Sequence, residues 1–164
     1  MGDAEELLVL CSQYEYAAAK VSGLFSLALR REFSVPSLIM AVISMDSCKH
    51  GKIYEAFGDL VAGGGEVDIE DVKYVVKDME EATKGIEVML REEGFAARKI
   101  MYALEGIERF EKRILSTDCL RICEYVREEF REVCESMMSM IKEDEQRHAD
   151  LVVRARELLK GSTG

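Results

Sequence analysis

Tryptophan is absent from this chain, proline occurs once and histidine only twice among 164 residues. The scarcity of proline excludes polyproline and collagen-like architectures and leaves long stretches free to coil into helices. No window approaches the roughly 18 uninterrupted apolar residues that a membrane-spanning helix needs. Basic clusters are missing too: 22 Lys and Arg are scattered among 32 Asp and Glu, for a net charge of −10, which argues against a nucleic-acid ligand. The glycine run Gly63-Gly64-Gly65 is not followed by the Lys and Ser/Thr of a phosphate-binding loop. No Cys-x-x-Cys pair occurs. The start, MGDAEELLVL, is acidic before its apolar stretch, the reverse of a secretory signal, and Glu6 stands where a myristoylation signal wants Ser or Thr. A cytoplasmic location is therefore expected.

What is present is apolar and charged: 48% and 33% of residues respectively. That is enough apolar material for one folded domain, read as residues 3–161, with 162–164 as a frayed tail. Breaks fall at Arg31–Pro36, at Gly63–Gly65 with Asp68 as an N-cap, and at Ser116-Thr117-Asp118. Between them the apolar period is near 3.6, and no strand-length stretch alternates with period two. The first helix, about 4–31, aligns Leu7, Cys11, Tyr14, Ala18, Phe25 and Ala28. The second, about 36–62, aligns Ile39, Val42, Met45, Ile53, Phe57 and Leu60. A third segment, about 69–114, carries Gly85, Gly94 and Gly106, where it can bend or break into two helices. The fourth, about 118–160, aligns Ile122, Val126, Val133, Met137, Ile141, Val152 and Leu158. The expected fold is an all-α, up-down-up-down four-helix bundle. No short repeat is evident. The cysteines Cys11, Cys48, Cys119, Cys123 and Cys134 read as small buried thiols of a reducing compartment; Cys119 and Cys123, one turn apart, could instead chelate a metal or form a redox pair.

A charge on a core-facing stripe is costly unless it is paired or binds a metal. Such interruptions occur on every segment: Glu15 on the first, Asp46 and His50 on the second, Glu93 (with Glu87 as the alternative) on the third, and Glu145 and His148 on the fourth. Glu15 could instead hydrogen-bond Tyr74 or Tyr102. Each histidine sits three or four residues from a carboxylate, so both project to one side of the helix. Imidazole and carboxylate together suit iron, manganese and zinc.

Glu145-Gln146-Arg147-His148, with Glu15, His50 and Glu93 in their segments, resembles the ferritin-like di-iron carboxylate family, rubrerythrin-type members in particular. That family places a Glu on its first and third helices and Glu-x-x-His on its second and fourth. The resemblance implies two irons, or iron with manganese, held by Glu15, Asp46, His50, Glu93, Glu145 and His148 and reacting with O2 or peroxide, with no nucleotide or organic cofactor. One departure is plain: Ser47 stands three residues before His50 where the family has Glu, and Asp46 is one residue earlier, about 100° around the helix. The alternative reading is a non-catalytic bundle with a degenerate metal site, acting as a structural or interaction module. Metal ions are the expected partners, with a homodimer on the base rate of amphipathic bundles; no redox partner is indicated.

Overall fold

A computed structural model describes residues 2–61, 66–91, 104–105 and 118–161, without the side chains of 118–120. Helix α1 spans Ala4–Leu29, α2 Ser34–Gly58, α3 Glu70–Arg91 and α4 Arg131–Gly161. Two short 3-10 turns, Asp118–Glu124 and Glu128–Phe130, precede α4. The protein is an all-α four-helix bundle.

Local chemistry sets the ends. Asp3 caps α1 by accepting the Glu6 amide at 2.8 Å. Phe33 and Glu32 amides close the turn onto the Leu29 carbonyl, and Pro36 sits in the first turn of α2, where its missing N–H is not needed. Asp68 accepts the Glu70 amide at 3.2 Å ahead of α3. Gly2 and Val67 exchange backbone hydrogen bonds of 3.0 and 2.9 Å, tying the start of α1 to the start of α3.

Side-chain pairs give the helix directions. Ser37 and Ser44 hydroxyls donate to the Ser26 and Ala19 carbonyls at 2.8 and 2.7 Å, and Tyr16 donates to Glu55 at 2.8 Å, so α1 and α2 are antiparallel. At Gly51 of α2 a Cβ would come within 2.9 Å of the Tyr16 ring, so only glycine allows α1 this close beside the site. Ion pairs Glu6–Lys73 and Lys20–Glu87 advance together along both chains, so α1 and α3 are parallel. Helices α2 and α4 are antiparallel: Asp46 meets His148 while His50 meets Asp144. Helix α4 therefore runs parallel to both α1 and α3, the latter being the first part of the third segment read from the sequence. Apart from Leu104 and Glu105, that segment beyond Arg91 lies outside the described residues, as do Gly63–Gly65.

Each helix buries one stripe with alternating three- and four-residue spacing: Ala4, Leu8, Cys11, Glu15, Ala18, Ser22, Phe25 and Leu29 on α1; Met40, Ile43, Ser47, His50, Tyr54 and Phe57 on α2; Val72, Val76, Met79, Thr83 and Ile86 on α3; Cys134, Met138, Ile141, Glu145, His148, Val152, Ala155 and Leu159 on α4. Each large apolar side chain on these stripes contributes about 1.5–3 kcal/mol by leaving water.

The buried faces differ from the apolar-only reading on α2 and α4. Met45 is 65% exposed and Val133 54% exposed, whereas Ser47 and Cys134 face inward. Polar residues hold the middle of both true stripes, so a count of apolar residues alone rotates the face. The fourth helix also begins at Arg131 rather than near 118. Cys123 and Cys134 form a disulfide with Cα atoms 5.5 Å apart, which excludes one straight helix through both, since eleven residues of helix span about 16 Å. Cys11 is disulfide-bonded as well, and Cys48 is a half-buried free thiol. The expectation of reduced buried thiols is thus corrected for Cys11, Cys123 and Cys134, and Cys123 pairs with Cys134 rather than acting with Cys119. No helix among the described residues is long and apolar enough to cross a membrane.

Candidate metal centre

The polar interruptions meet. Glu15 from α1, Ser47 and His50 from α2, and Glu145 and His148 from α4 are all buried in the middle of the bundle. His50 Nδ1 lies 3.1 Å from Glu145 Oε1 and 3.7 Å from Glu15 Oε1. His148 Nδ1 lies 3.4 Å from the same Glu145 oxygen. The two imidazoles stack with centroids 5.9 Å apart. One Glu145 oxygen therefore stands between both rings, and both rings aim Nδ1 inward.

The outward nitrogens are held by a second set of residues. His50 Nε2 is 3.0 Å from Asp144 of α4, and His148 Nε2 is 3.3 Å from Asp46 of α2. Lys49 contacts Asp46 at 3.1 Å and Asp144 at 2.7 Å; Arg147 contacts the same two carboxylates at 2.9 and 2.7 Å. The reciprocity comes from a short repeat. Asp46-Ser47-Cys48-Lys49-His50 and Asp144-Glu145-Gln146-Arg147-His148 share the pattern Asp-x-x-(Lys/Arg)-His. On antiparallel helices the repeat lets each Asp orient the histidine of the other helix. A sequence reading that sees no repeat misses Asp144, Lys49 and Arg147; the repeated pattern is the signal that finds them.

Electrostatics follow from burial and these contacts. Burial pushes the Glu15 carboxyl up to about 7; the Glu145 charge adds to this and His50 opposes it. For His50, burial favours the neutral ring, but Glu145, Glu15 and Asp144 together outweigh it and raise its pKa to about 10. Burial also works against ionised Asp144, yet Lys49, His50 and Arg147 bring its carboxyl down to about 2. Asp46 is likewise lowered, burial being overcome by His148, Lys49 and Arg147. Tyr54, one turn beyond His50, is pushed well above the ordinary phenol range by burial and by the charges of Glu15 and Glu145.

Three of the buried groups, Glu15, His50 and Glu145, each place a donor atom within 4.8 Å of the others, so they could hold a metal ion. Donors on one ion at about 2.1 Å lie about 3–4 Å apart, so the widest pair of the trio closes by at most about 1–2 Å when an ion is held. Glu15 Oε2 and Ser47 Oγ are buried without hydrogen-bond partners among the described residues, so polar capacity there is left over. His148 stands beside the trio on its Glu145 side. Asp46 contacts the outer nitrogen of His148 rather than entering the trio. Glu93 and Tyr102 lie outside the described residues. Glu87, the alternative to Glu93, is at the surface in an ion pair with Lys20 at 2.6 Å, and Tyr74 is 54% exposed, so it is not the partner of Glu15. No protein-family model, curated protein or solved structure matches this chain.

Proposed function

We propose that this protein binds a transition metal between α1, α2 and α4, in a layout similar to ferritin-like carboxylate proteins. Glu15, His50 and Glu145 hold the ion, and His148 extends the site. Asp144 and Asp46 contact the outward Nε2 of His50 and His148, fixing each ring so that Nδ1 is presented inward, the usual way a carboxylate orients a metal-ligating histidine. The observation that carries this reading is the convergence of three fully buried ligand groups from three helices, with an unpartnered Glu15 oxygen among them. Two carboxylates and imidazole suit iron, manganese or zinc over softer metals. Iron or manganese bound there would supply the electrons that O2 or peroxide accepts. The chain's own part is to exclude water from the centre, supply the compensating negative charge and hold the rings. Elemental analysis of protein purified without chelator tests this: binding of a transition metal, or its restoration by anaerobic Fe(II), is expected. Less than about a tenth of an equivalent in both preparations would refute it.

A second reading draws on the His50 contacts. A protonated His50 among Glu15, Glu145 and Asp144 forms a paired network without any metal. In that reading the bundle is structural and its melting temperature is indifferent to metal. A metal-dependent rise in melting temperature that Glu145→Ala abolishes excludes it.

A further inference from the structure

A cleft lies beside the buried centre. Between the first half of α1 and the last turns of α2 is a cavity of about 390 Å³. Its rim carries Glu5, Glu55 and Asp59, all exposed, and its floor is made by Leu8, Ser12 and Tyr54, all buried. Ser12 stands three residues before Glu15 on α1, and Tyr54 four residues after His50 on α2. Each is therefore one helical turn, about 5.4 Å, from a ligand position on its own helix. Because α1 and α2 are antiparallel, both turns lie toward the same end of the centre. The charges of Glu15 and Glu145 act on the Tyr54 phenol, which places it within their field. Tyr16 is a fixed wall: its hydroxyl donates to Glu55 at 2.8 Å and its ring packs on Gly51.

We infer that this cleft is the route by which a hydrated divalent cation reaches the buried ligands, entering over Glu5, Glu55 and Asp59 and passing between Ser12 and Tyr54. Glu15, His50 and Glu145 are at most 2% exposed, so an ion in bulk water has to cross side chains to reach them. The cavity admits it: an ion with about six waters occupies about 200 Å³, at about 30 Å³ per water. Three carboxylates line the cleft and, among the described residues, no Lys or Arg does. Arg127 nearby holds the backbone carbonyl of Asp59. Negative charge at the mouth of a cleft concentrates cations there and speeds their capture. Ser12 and Tyr54 bring hydroxyl groups, whose oxygens can replace waters as the ion sheds them. The inference rests on the metal reading proposed above and adds how the ion arrives.

The test is the rate of Co(II) uptake by the full, metal-free chain, followed by stopped-flow absorbance, with release to a chelator measured in parallel. Gly58 lines the cleft, and a Cβ built on it meets no atom within 4 Å, so Gly58→Trp adds bulk there without touching a ligand. It is expected to slow uptake and release alike, by about tenfold, and so to leave Kd unchanged. Glu5→Gln combined with Asp59→Asn should slow uptake at low salt by about tenfold and flatten its dependence on ionic strength. Uptake that neither variant changes overturns the route while leaving the metal site standing. Lys49→Met, on the side closed by Asp46 and Asp144, is the control: a changed rate there, with none in the cleft variants, moves the entrance to that side. No Co(II) binding by the wild type refutes the metal reading and the route together. If Gly58→Trp does not fold, judged by circular dichroism, the rim variant and its salt dependence still decide.

Discussion

Loading the proposed metal centre must expel protons. In the metal-free protein His50, raised to about 10, carries its proton throughout the neutral range, and Glu15, raised to about 7, is half protonated at neutrality. A ligand must be deprotonated to bind metal. Binding at pH 7 therefore releases about one proton from His50 and about half a proton from Glu15, about 1.5 in all. The release rises toward two protons below pH 7 and falls toward one above it. Integrated, the affinity climbs about 1,000-fold from pH 6 to pH 8, or about 4 kcal/mol. Calorimetry with Co(II), repeated in buffers of different ionisation enthalpy, reads the proton count directly. A release below about half a proton at pH 7, or an affinity flat across pH 6–8, would refute the charged His50 between the two glutamates and with it the electrostatic account of the site.

The same shifts set the stability of the metal-free form. His50 and Glu15 both have raised pKa values, so their contributions are complete below their ordinary values of 6.5 and 4.5 and are lost as pH rises through about 10 and about 7. The melting temperature in chelator should fall between pH 6 and pH 10 and be restored at the alkaline end by metal; a rise over that interval contradicts the reading. Asp144, lowered to about 2, works in the opposite sense, its contribution being lost as pH falls from 3.8 through about 2. Replacing Asp144 with Asn leaves the ligands in place but loosens His50, and should weaken metal binding about 10–100-fold with an unchanged helical spectrum; an unaltered affinity would show that Asp144 does not orient the ring. Glu145→Ala strips His50 and His148 of their shared partner and should cost about 3 kcal/mol in urea unfolding of the metal-free protein. Reducing the Cys123–Cys134 link, which closes a short loop, should cost about 2–3 kcal/mol; less than about 0.5 kcal/mol would mean that the turns before α4 are held by packing alone.

Much of the architecture follows from local pattern. The 3.6-residue apolar period, the caps at Asp3 and Asp68 and the single proline in a first turn select helices regardless of what packs against them. Buried charges on the first, second and fourth helices are legible for the same reason: Glu15, His50, Glu145 and His148 interrupt apolar stripes, and only pairing or a cation makes that tolerable. Tertiary structure alone decided the rest. Whether Asp46 or Ser47 faces inward depends on a rotation of α2 that its neighbours impose, because Ser47 and Met45 compete for the interior and local hydrophobicity favours the wrong one. That Asp46 serves His148, and Asp144 serves His50, depends on α2 and α4 running antiparallel in one register, a relation between residues about a hundred positions apart. The Cys123–Cys134 bond likewise breaks a helix that periodicity would continue, since a covalent link between distant turns outweighs local propensity. The amino-acid order thus determined which side chains need a partner; packing determined which partner each one has.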